Sequence, residues 1–94
     1  MPIFKGSVNG SIAQVAYNIP NGVMTFSLVN TSGGSVTINL YVSDGVGNDV
    51  RVLPMNLTIS AGDSVFSTNG IKVLGGNNIY ITTSGSVQYY FSIE

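Results

Sequence analysis

From Val36 to Ser43 the chain alternates without a break. Val36, Ile38, Leu40 and Val42 are apolar, and Thr37, Asn39, Tyr41 and Ser43 between them are polar. A period of two places one set on each face of an extended strand, the signature of a strand half buried in a sheet. The segment before it, Thr31-Ser32-Gly33-Gly34-Ser35, is made of residues that tolerate tight backbone angles. The stretch from Leu57 to Val65 repeats the logic, with a short alternating strand, a turn at Ala61-Gly62-Asp63 and a second strand. A chain dominated by such stretches is an antiparallel sheet with one wet face.

The rest of the chain obeys the same punctuation. Residues 1–9 carry Ile3, Phe4 and Val8 and read as a short strand or an extended arm. Asn9-Gly10 is a two-residue hairpin signal. Residues 11–18 have mixed periodicity, which predicts a bulged or irregular edge strand. Ile19-Pro20-Asn21-Gly22 is a turn, and residues 23–30 form a strand with Met24, Phe26 and Leu28 on one face. Residues 44–49 are a Gly-rich loop. A short strand over 50–53 ends at Pro54. Short strands follow at 56–60, 64–67 and 71–74. A last hairpin joins 79–83 to 87–93 across Ser84-Gly85-Ser86.

The expectation is an all-β fold: a single antiparallel β-sandwich of about eight short strands, jelly-roll or immunoglobulin-like. It is one domain over residues 1–94, with 1–9 as an arm or edge strand. The expected core is Phe26, Leu28, Val36, Ile38, Leu40, Val42, Leu57, Ile59, Val65, Ile71, Val73, Ile79, Ile81, Tyr89, Phe91 and Ile93.

Composition narrows function more than any motif does. A chain of 94 residues buries roughly 60–65% of the surface its unfolded form exposes, so its stability margin is thin. It has no cysteine and therefore no disulfide or thiolate metal site to add to that margin. Charged residues are 7% of the chain, against about one quarter in an ordinary soluble domain. The exposed faces must be Ser, Thr, Asn, Gly and Tyr, which hydrogen-bond but do not repel neighbours. Such faces suit a repeating assembly. A net charge of −1 without a basic cluster argues against nucleic acid and against anionic membrane surfaces. No apolar run reaches the ~18 residues of a membrane span. The start, Met1-Pro2-Ile3-Phe4-Lys5-Gly6, lacks the basic region and apolar core of a secretion signal, which implies folding in a cytoplasm.

No constellation for catalysis stands out. Histidine is absent, so a serine nucleophile would need Lys5, Lys72 or a carboxylate as its base, and no motif supports either lysine. The one close carboxylate pair, Asp44 and Asp49, sits in the Gly-rich loop. A hydrated turn explains it, with a Ca²⁺ site through both aspartates and Asn48 as the rival reading. The expectation is no catalytic, cofactor or metal site. Tyr41, Tyr80 and Tyr90 fall on the polar faces of their strands. Tyrosine is enriched where proteins meet, so subunit contact ranks above sugar binding for them. The candidate interface is Ile3, Phe4, Thr37, Asn39, Tyr41, Tyr80 and Tyr90.

The run from Val29-Asn30-Thr31-Ser32 through Val36 to Val42 resembles small virion proteins of tailed bacteriophages. So do Leu57 to Val65 and the stretch from Ile71 through Leu74-Gly75-Gly76-Asn77-Asn78 to Ile81. The closing strand ends in an acid, Glu94. The order of these turns and strands covers roughly the last three quarters of the chain, and each turn alone is common chemistry. The resemblance implies a β-sandwich virion protein without enzymatic activity, most readily a capsid decoration or cement protein on the outer capsid surface. It implies the major capsid protein and further copies of the chain, as a homotrimer, for partners, with synthesis in the host cytoplasm. The second reading is a tail or fibre component, a receptor- or carbohydrate-binding module.

Overall fold

The computed structural model describes residues 3–10, 12–44, 46, 49–67 and 69–94, with Ile12 described by its backbone. Every regular element in it is a β-strand. The order is β1 (Ile3–Asn9), β2 (Ile12–Ala16), β3 (Gly22–Asn30), β4 (Val36–Ser43), β5 (Asp49–Arg51), β6 (Leu57–Ile59), β7 (Ser64–Phe66), β8 (Ile71–Val73), β9 (Asn78–Thr83) and β10 (Ser86–Ile93). Two antiparallel sheets face each other. One runs β1-β10-β3-β7, with β8 also on β3, and the other runs β2-β9-β4-β5, with β6 also on β4.

The steps β1–β2, β2–β3, β3–β4, β6–β7, β8–β9 and β9–β10 each carry the chain from one sheet to the other. That wrap is the jelly-roll order, which resolves the choice against an immunoglobulin-like sandwich. It also corrects two expectations. Asn9-Gly10 and Ser84-Gly85-Ser86 are not hairpin loops, because the strands they join lie in different sheets. Both turns do reverse the chain, with Gly10 at φ +66 and its N–H donating to the Gly85 carbonyl at 3.3 Å. They reverse it across the ~10 Å between sheets instead of the ~4.8 Å between neighbouring strands.

The described residues form ten strands because each far edge comes in two pieces. β7 lies on residues 27–29 of β3 and β8 on residues 22–24. β5 lies on residues 41–43 of β4 and β6 on residues 36–38. Pro54, in the gap between β5 and β6, cannot donate to a ladder.

Alternation sets the core. Phe26, Leu28, Val36, Ile38, Leu40, Ile59, Val73, Ile79, Ile81, Phe91 and Ile93 are buried, as their parity requires. Met24 and Val87 join them on the same faces. Val15 and Ala16 are both buried although they are adjacent, because the register of β2 slips between Gln14 and Ala16. That is the irregular edge the mixed periodicity implies. Ile19 is also buried, held by its N–H to the Asn77 carbonyl and by the Gly76 N–H to its own carbonyl, both at 2.9 Å. Val42, Leu57, Val65, Ile71 and Tyr89 are only half-buried, contrary to expectation. Val42 and Ile71 line a cleft of about 430 Å³ where the sandwich opens between β5 and β8.

One glycine has no substitute. A Cβ on Gly22 would stand 2.6 Å from the backbone oxygen of Glu94, where the Val23 and Glu94 backbones exchange hydrogen bonds of 2.9 Å. Backbone cannot yield as a side-chain end can. Gly22→Ala is expected to lose about 1–3 kcal/mol, as overpacking does. In a domain this size each kilocalorie lowers Tm by about 4–8 °C. A melt that matches the parent would contradict this.

Candidate interaction faces

The two outer faces of the sandwich differ in how far their polar groups are already used. On the second sheet, Gln14, Tyr80, Tyr41 and Arg51 form one transverse row through the registers β2–β9, β9–β4 and β4–β5. The Arg51 guanidinium lies over the Tyr41 ring, 4.8 Å from its centroid. Its Nη1 donates to Asn39 Oδ1 at 2.6 Å. The same oxygen accepts the Asn56 N–H at 2.9 Å, and Asn39 Nδ2 donates to Asn56 Oδ1 at 3.1 Å. Asn56 holds φ +53, a conformation its side chain makes accessible. The Thr37 N–H donates to Ser84 Oγ at 2.9 Å, and the Ser84 N–H to the Thr37 carbonyl at 3.0 Å. Thr37, Asn39, Tyr41 and Tyr80 are all half-buried within the single chain. Much of this face is thus closed upon itself.

The first sheet presents the opposite picture. By register, β1, β10, β3 and β7 direct Lys5, Tyr90, Ser27 and Phe66 outward in one row, with Ser7, Gln88, Val29 and Ser64 in the next. Ile3 and Val23 lie on the same face by parity. Four large side chains there are open to solvent: Ile3 at 47%, Val23 at 45%, Phe66 at 62% and Tyr90 at 45%. The strands of this sheet direct only two charges outward, Lys5 and Lys72. Between the rows lies an open depression of about 550 Å³, lined by Lys5, Ser7, Ser27, Val29, Gln88 and Tyr90 among others. Phe66 and Val23 were not singled out by sequence, yet parity marks them. With Val65 and Met24 turned inward, their neighbours must turn out.

Of the candidate interface residues, the structure brings Thr37, Asn39, Tyr41 and Tyr80 together on one face. Ile3 and Tyr90 lie on the other. Phe4 points inward from β1 and packs on the core edge beside Phe91. Ile3 and Phe4 belong to a strand paired along its whole length with β10. In the Gly-rich loop, Asp44 Oδ1 accepts the Val46 N–H at 2.8 Å, an Asx turn. Asn48, the third member of the Ca²⁺ reading, lies outside the described residues. Among the described residues no three acidic side chains gather into a metal site.

No protein-family model matches the sequence, and no curated protein matches it. Solved structures do match in fold. PirA superposes with a TM-score of 0.57 at 12% identity, over 96% of this chain and 93% of PirA. The Yersinia pseudotuberculosis-derived mitogen gives 0.51 at 10% identity, over 99% of this chain and 85% of the mitogen. A pentameric capsid protein isolated from metagenomic phage sequences gives 0.50 at 13% identity. There the match covers 97% of this chain and 60% of the capsid protein. At these identities the likeness is one of fold: the chain is a β-sandwich of a type that PirA, the mitogen and the capsid protein share.

Proposed function

We propose that this chain is a non-enzymatic structural protein of a bacteriophage virion, a decoration protein that binds the outer face of a capsid lattice as a homo-oligomer. One observation carries the reading: the outer face of the first sheet. It exposes Ile3, Val23, Phe66 and Tyr90 around a polar depression with only two outward charges. Apolar and aromatic anchors in a hydrogen-bonding surround are what a protein contact uses. The jelly-roll order, the order of turns along the sequence and the fold likeness to a phage capsid protein support the same reading.

The mechanism is area burial. The first sheet lies on the major capsid protein across subunit junctions, its anchors lose water, and its serines and Gln88 satisfy polar groups at the rim. Contacts repeated over many copies pin neighbouring capsomers against internal pressure. With so few charges the attachment holds at high ionic strength, where exposed ion pairs are screened.

Purified protein should bind capsid shells that lack it. Phe66→Ser combined with Tyr90→Ser should weaken binding by about thirtyfold, the ~2 kcal/mol of an interface anchor. Thr37→Ala should leave it unchanged. Parent protein that fails to bind such shells would sink the reading, and cryo-microscopy of the particle gives the position directly.

A second reading has one observation in its favour. Tyr90 offers an open ring beside the polar depression, as a sugar-binding surface does, whereas the Tyr41 ring is covered by Arg51. A tail or fibre module would lose glycan binding with Tyr90→Ala alone, while still assembling into particles.

A further inference from the structure

A sheet edge is an open row of amides and carbonyls, and proteins usually blunt it. Three of the four edges here are blunted. The β5/β6 edge and the β7/β8 edge are each broken into three-residue pieces. The β2 edge carries a register slip. The fourth is β1, seven residues without interruption, paired to β10 in a continuous register from Ile3 to Asn9. Its one charge is Lys5.

We propose that this edge pairs with the β1 edge of a second copy, antiparallel and two-fold about Gly6, making one continuous sheet through two protomers. The sequence of β1 is complementary to itself in that register. Phe4 faces Val8 of the other copy, on the core side, where both are half-buried in the single chain. Lys5 faces Ser7 on the outer side, so no like charges oppose each other. A shift of two residues would set Lys5 against Lys5 instead. At the centre, Gly6 meets Gly6. Glycine has a local reason to be there: a Cβ would stand 2.8 Å from Tyr89 Oη, so the Tyr89 ring lies over Gly6. Among the described residues that hydroxyl has no hydrogen-bond partner. The two-fold brings it toward its own copy. The contact makes pairs of the chain where the family resemblance implies trimers, and it does not depend on where the protein assembles.

The test uses the absence of native cysteine. Lys5 and Ser7 are both exposed, so Lys5→Cys and Ser7→Cys leave the core untouched. Directly opposed residues have Cα atoms within disulfide reach, while the Lys5–Lys5 and Ser7–Ser7 diagonals are about 8 Å apart, beyond it. An oxidised mixture of the two variants should cross-link at least several times faster than either variant alone. Sedimentation of the parent should give twice 9.8 kDa at about 100 µM, where a micromolar contact is saturated. A monomeric parent, or a mixture that cross-links no faster than its components, overturns the proposal. So does a monomer whose β1 amides gain protection only when capsid shells are added, which assigns the edge to the capsid protein. Capsid binding is read separately, so either hypothesis can fail alone.

Discussion

Replacing Asn30 with alanine is expected to remove about 3–4 kcal/mol of stability, a large share of the ~5–15 kcal/mol that holds a domain together. Asn30 closes β3 and is 1% exposed. Its Nδ2 donates to the Gly34 carbonyl at 2.8 Å and to the Ile59 carbonyl at 2.9 Å. Its Oδ1 accepts the Ser32 N–H at 2.8 Å. Its backbone takes part too: its N–H donates to the Asp63 carbonyl at 2.9 Å, and its carbonyl accepts the Gly62 N–H at 3.1 Å. One residue thus fastens the β3–β4 turn to the β6–β7 turn, where the chain crosses between sheets twice. Alanine leaves one donor and two acceptors unmatched, the Ile59 carbonyl in a buried place and the Gly34 carbonyl and Ser32 N–H in partly buried ones, and each costs about 1–3 kcal/mol less whatever water recovers.

Aspartate at the same position sharpens the test. An ionised carboxylate only accepts, so it would face two carbonyl oxygens. The charged form is disfavoured in the fold, which raises the folded pKa above the unfolded value of about 3.9. Stability is then largest below the unfolded pKa and is lost as pH rises through the folded one. Asn30→Asp should be near-unfolded at neutral pH and partly recovered in acid, where the carboxyl carries a proton to donate. Urea denaturation at both pH values decides. A pH profile parallel to the parent's would remove Asn30 from this role.

Asn30 also marks the limit of the sequence. Asn30-Thr31-Ser32 is legible as a turn because its residues tolerate tight angles. Its partners are not legible, because Ile59 and Asp63 lie far along the chain and reach it only through the wrap. The same holds for the strands. Alternation says which face of β4 is buried, and that reading holds from Val36 to Leu40 but not at the strand's end, where Val42 is half-buried and Ser43 is buried. It does not say which strand lies beside which, so Asn9-Gly10 suggested a neighbour where the chain in fact changes sheets. The faces repeat the pattern. Tyr41 falls on the polar side as its parity dictates, but the Arg51 that covers its ring comes from the strand opposite. Phe66 was readable from Val65 beside it. Its company with Tyr90 needed the order β10-β3-β7, which no local pattern encodes.

The largest packing loss should come from Phe91→Ala, about 3–5 kcal/mol, with a Tm lower by at least ~12 °C if the variant folds at all. Phe91 is fully buried and sits in the middle of a transverse row, with Phe4 on one side and Phe26 on the other. Its ring centroid is 6.2 Å from that of Phe26 and 5.7 Å from that of Tyr89, both tilted pairs. Truncation loses the transfer energy of the ring, leaves a cavity the two flanking strands cannot close, and removes both aromatic contacts. Phe66→Ala is the matched control: the same change in the same sheet, on the opposite face, at 62% exposure. It should stay within about 0.5 kcal/mol of the parent. The two variants together separate what the sheet's inner face does from what its outer face does. Phe91→Ala should fail by unfolding, with capsid binding lost only in proportion to the folded fraction. Phe66→Ala should keep its unfolding midpoint and still bind shells more weakly. Equal losses of stability in the two would mean the register of β7 on β3 places Phe66 inward, and the outer face would no longer be the surface that the proposed attachment uses.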